Sequence, residues 1–382
     1  MLLVSEPILG QDERSALSEV VDTGWITMGG RVRQFETAFA AYHGATDAVA
    51  VGSCTAALHL ILQALGVGPG DEVLVPSLTF VATANAVLYT GATPVFVDIE
   101  TLDWPLMSRA DAATKCTART KAVIIVHYAG YIAERDAWTE FAARRSLLLI
   151  EDAAHAAGAA DAGTIGHAAA FSFYGNKNMT TAEGGMVITA DRKLMDDVRQ
   201  LRCHGMTSGT FQRYTSRSVG YDVTMLGFNY RMDEFRAAIG LAQLKRLFQW
   251  NEKRRLLTLA YAQALKNRCA AVQLPFLHWQ GWTQRNSSHH IMPIVLPADV
   301  DCKHVIDRLG RSGIQTSNHY PPIHRLSFYR MRFPGVRAPN TESYAERQLT
   351  LPLHPRMEER DVRHVADALA HAVAFRQMEG AA

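Results

Sequence analysis

From about residue 48 the chain alternates short runs of β-branched and apolar residues with helical patterns, and this order limits its possible folds more than any other feature. Residues 48–51 read as a strand and 55–65 as a helix. A Gly-Pro-Gly turn at 68–70 leads to a strand at 72–75, a helix near 82–90 and a strand at 93–97. Further strands are expected at 121–126, 147–150, around 170–173 and at 185–189. Several are apolar without alternation, as strands are when helices cover both faces of a mostly parallel sheet. The pattern predicts an α/β fold, a three-layer sandwich around a mostly parallel mixed sheet.

A chain of 382 residues exceeds the needs of one ordinary domain. The expected division is a large domain over 1–245, opening with a helical segment, and a smaller C-terminal domain over 246–382. Residues 233–267 contain no Pro and one Gly, with a charged stretch at 245–255, and read as one long helix leaving the large domain. A region richer in Pro and His follows, with a strand at 290–296, a helix at 301–309, the HYPPIH stretch and a last amphipathic helix at 361–375. That succession predicts a small α+β domain.

Composition removes several classes of function. Thirty-nine basic and thirty-seven acidic residues give a formal charge of +2, so nucleic acid is not an expected partner. The five cysteines, Cys54, Cys116, Cys203, Cys269 and Cys302, are scattered without a C-x-x-C pair, which fits a reducing cytoplasm better than zinc or a disulfide framework. The opening MLLVSEPILGQDE lacks a basic start and an apolar stretch of signal-peptide length, and no run approaches the roughly 20 apolar residues of a membrane span. A cytoplasmic protein that does not enter membranes is expected, and no histidine spacing gives a helical metal pair.

Three segments bear chemistry. In GSCTAAL, residues 52–58, a strand passes directly into a helix. The free N–H groups of that helix N-terminus, with the hydroxyls of Ser53 and Thr55, could receive a phosphate, although for the segment taken alone a simple N-cap is the better explanation, capping Ser and Thr being so common. In LLLIEDAAHA, residues 147–156, an apolar strand delivers Glu151 and Asp152 to its C-terminal end, the edge where open α/β sheets bind ligands. A carboxylate there can hold a protonated pyridine nitrogen or can cap the next helix. In FSFYGNKNMTTAEGGMV, residues 171–187, Lys177 stands between two apolar strands. Burial would disfavour its charged form and free its amine as a nucleophile, whereas a solvent loop would not. Neither G-x-G-x-x-G after a strand, nor a phosphate-binding G-x-x-x-x-G-K-[ST], nor a G-x-S-x-G elbow, nor H-E-x-x-H occurs.

In order, the phosphate cradle, PSLTFVATANAV, EDAAHA, SFYGNKNMTTAEGG and LGFNYRMDEFRAAIG resemble the successive signatures of the DegT-type sugar aminotransferases. The likeness runs from about Gly24 to His324. It implies pyridoxal-phosphate fold type I, with the cofactor pyridoxal 5'-phosphate carried as a Schiff base on Lys177, which also shuttles the proton. It further implies Asp152 on the pyridine nitrogen, His155 beside the ring hydroxyl and Phe80 stacked on the ring. Cys54, Thr55 and Ser172 would meet the phosphate, and Asn229 would reach it from a second subunit, making a homodimer with shared active sites. His319, Tyr320 and His324 in HYPPIH resemble the segment that approaches the substrate, or form a Pro-rich loop whose aromatic residues merely pack. His127 in HYAG matches a family turn and is read as structural.

The resemblance implies transfer of an amino group from glutamate or glutamine to a keto-sugar, nucleotide-linked. A cyclitol or other ketone as acceptor, or a catalytically inactive cofactor-binding regulator, are the alternatives. Gly175 and Asn176 before the lysine, and the short stretch after Gly158, depart from the family pattern and bear on the substrate. A branch of sugar dehydratases carries histidine at the lysine position, so Lys177 argues for transamination.

Overall fold

The computed structural model describes residues 1–208, 214, 220–277 and 286–379. Its centre is a sheet of seven strands: β1 (Ala48–Val51), β2 (Glu72–Pro76), β3 (Thr93–Val97), β4 (Thr120–Val126), β5 (Leu148–Asp152), β6 (Ala168–Ser172) and β7 (Gly185–Ile188). They lie in the order β1-β7-β6-β5-β4-β2-β3, and β7 is the one that runs against both neighbours. Each expected strand of the sheet is present within two residues of its expected ends.

The strands lack alternation because both faces are buried. On β1, Ala48 and Ala50 join one core cluster while Val49 and Val51 join another. On β4, Val123 and Ile125 divide from Ala122 and Ile124 in the same way. The first face is covered by the helices Gly30–Tyr42 and Arg135–Arg144, through Phe35, Phe39 and Trp138. The second is covered by Cys54–Ala64, Ala82–Tyr89 and Arg192–Leu201, through Leu58, Ile61, Val87 and Val198. Each such side chain removed from water contributes about 1.5–3 kcal/mol, enough in number to hold three layers together. Helix starts are fixed locally: Ser53, Ser108, Asp191 and Asp233 each accept a backbone N–H of the first turn they precede.

A third cluster forms around a two-stranded antiparallel sheet of β8 (Met292–Val295) and β9 (Gln348–Leu351). The helices Cys302–Arg311 and Glu359–Glu379 pack on it, together with Leu257, Tyr261 and Leu265 of the helix Leu247–Arg268. The first residues join this region: the Leu2 N–H donates to the Gly313 carbonyl at 2.7 Å, and the Leu353 N–H donates to the Val4 carbonyl at 3.1 Å.

The single long helix expected over 233–267 is two helices, Glu234–Leu244 and Leu247–Arg268. No Pro or Gly marks the break. Instead the Arg246 N–H reaches back three residues to the Gln243 carbonyl, while the Arg246 guanidinium and the Gln243 amide both bind the buried Glu13 carboxylate. A contact to the first helix of the chain, Gln11–Thr23, sets the bend. The helices Gln11–Thr23, Gly30–Tyr42 and Pro339–Arg347 and the strand β9 were not individually foreseen.

Candidate active site

The C-terminal ends of β2, β5 and β6 and the end of β1 open on one side of the sheet, and a cavity of about 550 Å³ lies there. Nine of the eleven residues expected at a site line it: Cys54, Thr55, Phe80, Asp152, His155, Ser172, Lys177, His319 and Tyr320. Ser53, Thr79, Tyr174, Glu183 and Asn318 complete much of the wall.

One end of the cavity is the start of the helix Cys54–Ala64. Ser53 spends its hydroxyl on the Ala56 N–H at 3.1 Å, so the cap and the ligand readings of this segment are not exclusive. The N–H groups of Cys54 and Thr55 stand in the first turn, where no intrahelical acceptor exists. A Cβ on Gly185 would lie 2.5 Å from the Ser53 carbonyl carbon, so β7 can press against this turn only with glycine there. Such a turn, with the Thr55 side chain beside it and Ser172 on β6, suits a dianionic phosphate.

The floor is Asp152, which ends β5. One carboxylate oxygen accepts the Thr83 hydroxyl at 2.7 Å and the other accepts the Ala154 N–H at 3.1 Å. Burial pushes its pKa above the ordinary value despite those bonds and the nearby Lys177. A buried carboxylate held at that height is one that a cationic ring nitrogen would relieve. Lys177 keeps some exposure as a residue, but its amine is enclosed by protein, and desolvation lowers its pKa to about 8 against the pull of Cys54 and Asp152. At neutral pH a useful fraction of the amine is unprotonated.

His155 and Tyr320 form the opposite wall. The Ala129 N–H donates to His155 Nδ1 at 3.2 Å, so the hydrogen belongs on Nε2, which meets the Tyr320 hydroxyl at 2.8 Å. Burial, then Lys177 and His319, hold His155 well below its ordinary pKa, in the neutral form. The Phe80 ring, 57% exposed, borders the cavity with its centroid 5.9 Å from that of Tyr320.

Two expected residues stand elsewhere. His324 is buried behind the wall, where Nδ1 meets the Ser77 hydroxyl at 2.6 Å and Nε2 meets the Glu342 carboxylate at 2.9 Å. It ties the HYPPIH segment to the end of β2, next to Thr79 and Phe80. Asn229 is exposed and forms a bridge with Cys203, away from this chain's own cavity. His127 is fully buried and bonds Glu151 at 2.9 Å. Thr83 was missed although it stands in the first turn of the helix that follows β2, inside the PSLTFVATANAV segment. Glu183 lies inside the SFYGNKNMTTAEGG segment but was given no role of its own, and Asn318 carried no distinguishing local pattern.

Among the described residues no helix is long and apolar enough to cross a membrane, and no cluster of potential metal ligands occurs.

Known proteins fit this geometry. Residues 7–370 match the family model of the DegT/DnrJ/EryC1/StrS aminotransferases. The chain is 40% identical to the spore coat polysaccharide biosynthesis protein SpsC of Bacillus subtilis (strain 168), over 97% of this chain and 96% of that protein. The structure of the aminotransferase TlmJ from Streptoalloteichus hindustanus superimposes with a TM-score of 0.90 at 33% identity, covering 99% of this chain and all of that one. DesI, solved in the presence of its TDP-sugar product, gives 0.87 at 30% identity over 100% and 95%. The fold is that of the pyridoxal-phosphate aminotransferases of fold type I. The chain is an enzyme, and it belongs to the DegT/DnrJ/EryC1/StrS aminotransferase family.

Proposed function

We propose that this enzyme moves an amino group from glutamate or glutamine to a nucleotide-linked keto-sugar, using pyridoxal 5'-phosphate carried on Lys177. The observation that carries the reading is the enclosure of one lowered-pKa amine and one raised-pKa carboxylate in a single cavity that ends on a helix N-terminus. These residues fit the cofactor: Cys54, Thr55 and Ser172 would hold its phosphate, Asp152 its ring nitrogen, His155 its ring hydroxyl and Phe80 its face. When bound, the cofactor supplies an aldehyde that exchanges amines and a ring that draws electrons from the carbon losing its proton.

The chain's own part is positional and acid–base. Asp152, fixed by Thr83, would set its negative charge against the ring nitrogen. The Lys177 amine takes and returns the proton, since its pKa near 8 suits both directions near neutrality. His319 and Tyr320 would face the sugar, and His324 would act by holding their loop. The sugar acceptor is supported by SpsC, a polysaccharide biosynthesis protein, and its nucleotide by the TDP-sugar product of DesI.

Asn229 would serve the cavity of a second subunit, in a homodimer with shared active sites. The domain division falls in this reading near 245/246, with residues 2–4 hydrogen-bonded to the smaller part. Reaction in the cytoplasm is part of the proposal.

The test is the visible absorption of the protein loaded with pyridoxal phosphate, before and after glutamate, with Lys177→Ala as control. A band that donor bleaches in the parent alone is expected, followed by recovery on adding a nucleotide-linked keto-sugar. An active Lys177→Ala enzyme would sink the assignment.

A further inference from the structure

Behind the cavity lies a buried polar network that no part of the proposed chemistry uses. Asn178, which directly follows Lys177, is 4% exposed and points into the protein. Its amide nitrogen donates to the Ser288 carbonyl at 2.8 Å and to Asn251 Oδ1 at 2.6 Å. Asn251 is itself oriented by donating to the Ala157 carbonyl at 2.9 Å. Both carbonyls are backbone groups, so the amide orientations are fixed and Asn178 Oδ1 can only accept. The group facing it at 2.7 Å is His290 Nδ1, which must therefore carry the hydrogen.

The His290 ring lies 4.3 Å from that of His155, whose hydrogen is on Nε2. Two neutral imidazoles of opposite tautomer thus meet behind the cavity wall. Burial drives the His290 pKa well below its ordinary value, and the charged or titratable groups that bear on it are His155, Lys177, Arg254 and His319, none of them an acid.

The backbone around this pair leaves no room to drift. The His290 N–H donates to the Ala129 carbonyl at 2.9 Å, and the Ser288 hydroxyl donates to the His155 carbonyl. A Cβ on Gly130, which has φ +91°, would lie 2.1 Å from Ser288 Oγ. Ala129 and His289 hold positive φ values of 58° and 48°, a conformation that side-chain-bearing residues keep only when their surroundings impose it.

Resting on the assignment of Lys177 as the cofactor lysine, we propose that His290 is a positioning residue for the reaction: its Nδ1–H bond to Asn178 sets where the Lys177 amine stands. His290 does not line the cavity, so it acts through its neighbour and touches no reacting atom. The lysine side chain swings from a Cα whose next residue is held at three points, and a displacement of about 1 Å at a reacting group can cost on the order of 100-fold in rate.

The test compares His290→Asn, which presents a donor near the Nδ1 position, with His290→Gln, which presents it one atom further out. Each is loaded with pyridoxal phosphate, its melting temperature is recorded, and the rate of bleaching by glutamate is followed over glutamate concentration and pH, with glutamine as a second donor. The Asn variant is expected within about threefold of the parent, and the Gln variant at least about tenfold slower at saturating donor with little change in half-saturation. The pH midpoint should move only in the Gln variant, with both melting alike. Equal rates in the two variants, whether retained or lost, would overturn the proposal while leaving a working parent and the role of Lys177 intact. A parent that takes up no cofactor would overturn the reading of Lys177 and this proposal with it.

Discussion

Glu151 and Asp152 are neighbours on β5, both buried and both acidic, yet they face opposite layers and serve opposite ends. Glu151 shares the side of Leu149 and accepts the N–H groups of Gly163, Ile165 and Gly166, at 2.8–2.9 Å, as well as His127. Burial pushes its pKa up, but the bonds from His127 and from the Gly166 and Gly163 N–H groups win, and the net shift is downward. Asp152 shares the side of Ile150, accepts Thr83 and Ala154, and stays above its ordinary pKa. One carboxylate has been given enough donors to hold a loop. The other has been left short of them, on the side that lines the cavity.

The contrast can be broken by substitution. Asp152→Asn should lower turnover on the order of 10²–10³-fold, the cost of losing a placed charge at a reacting ring, measured as kcat with the cofactor saturating. The same change should raise the melting temperature of the cofactor-free protein, because the fold no longer has to bury an under-partnered charge. Glu151→Ala should do the reverse: about 3 kcal/mol or more of stability lost in denaturant unfolding, with activity per folded molecule close to the parent. In the parent, the Glu151 contribution is complete above the unfolded value near 4.5 and disappears as pH falls through the lower native value, so acid unfolding should steepen below that pH.

Lys177 supplies a smaller and sharper reading. Uptake of pyridoxal phosphate by the cofactor-free protein should rise with pH and level off above about 8, following the neutral amine. A midpoint near 10.5, the ordinary lysine value, would mean that the amine stands in water. Tyr320→Phe removes one neutral hydrogen bond to His155, worth about 1 kcal/mol, and should change the rate of the sugar half-reaction by roughly fivefold.

The sheet was legible because its signals are local, and Thr55, Asp152 and Lys177 stood out locally as well, whereas Cys54, Phe80, His155, Ser172, His319 and Tyr320 were reached only through the family resemblance. Apolar strands without alternation announced two covered faces, Asp152 stood at a strand end where ligands bind, and Lys177 stood in the segment between two apolar strands. What stayed hidden depends on residues distant in the chain. The bend at Arg246 is set by Gln243 and Arg246 meeting Glu13, a partner more than 200 residues away in the chain. His324 looked like a residue facing substrate because of its place in HYPPIH, whereas the structure gives it Ser77 and Glu342 as partners. The Asn178–His290 bond joins two segments whose polar residues, taken singly, would pass for loop surface.

Strand β7, the one that runs against its neighbours, also dictates the order in which the site can be assembled. The early strand β1 finds no sheet partner until Val51 can pair with Gly185, long after the residues that follow β1 have been synthesised. The helix turn at Ser53 to Thr55 therefore waits for the glycine that closes over it, and such distant pairings are slow to form. A chain arrested before residue 185 would hold β5 and Lys177 yet lack the finished turn proposed for the cofactor phosphate, so on that proposal competence to take up the cofactor should arrive abruptly and late in folding.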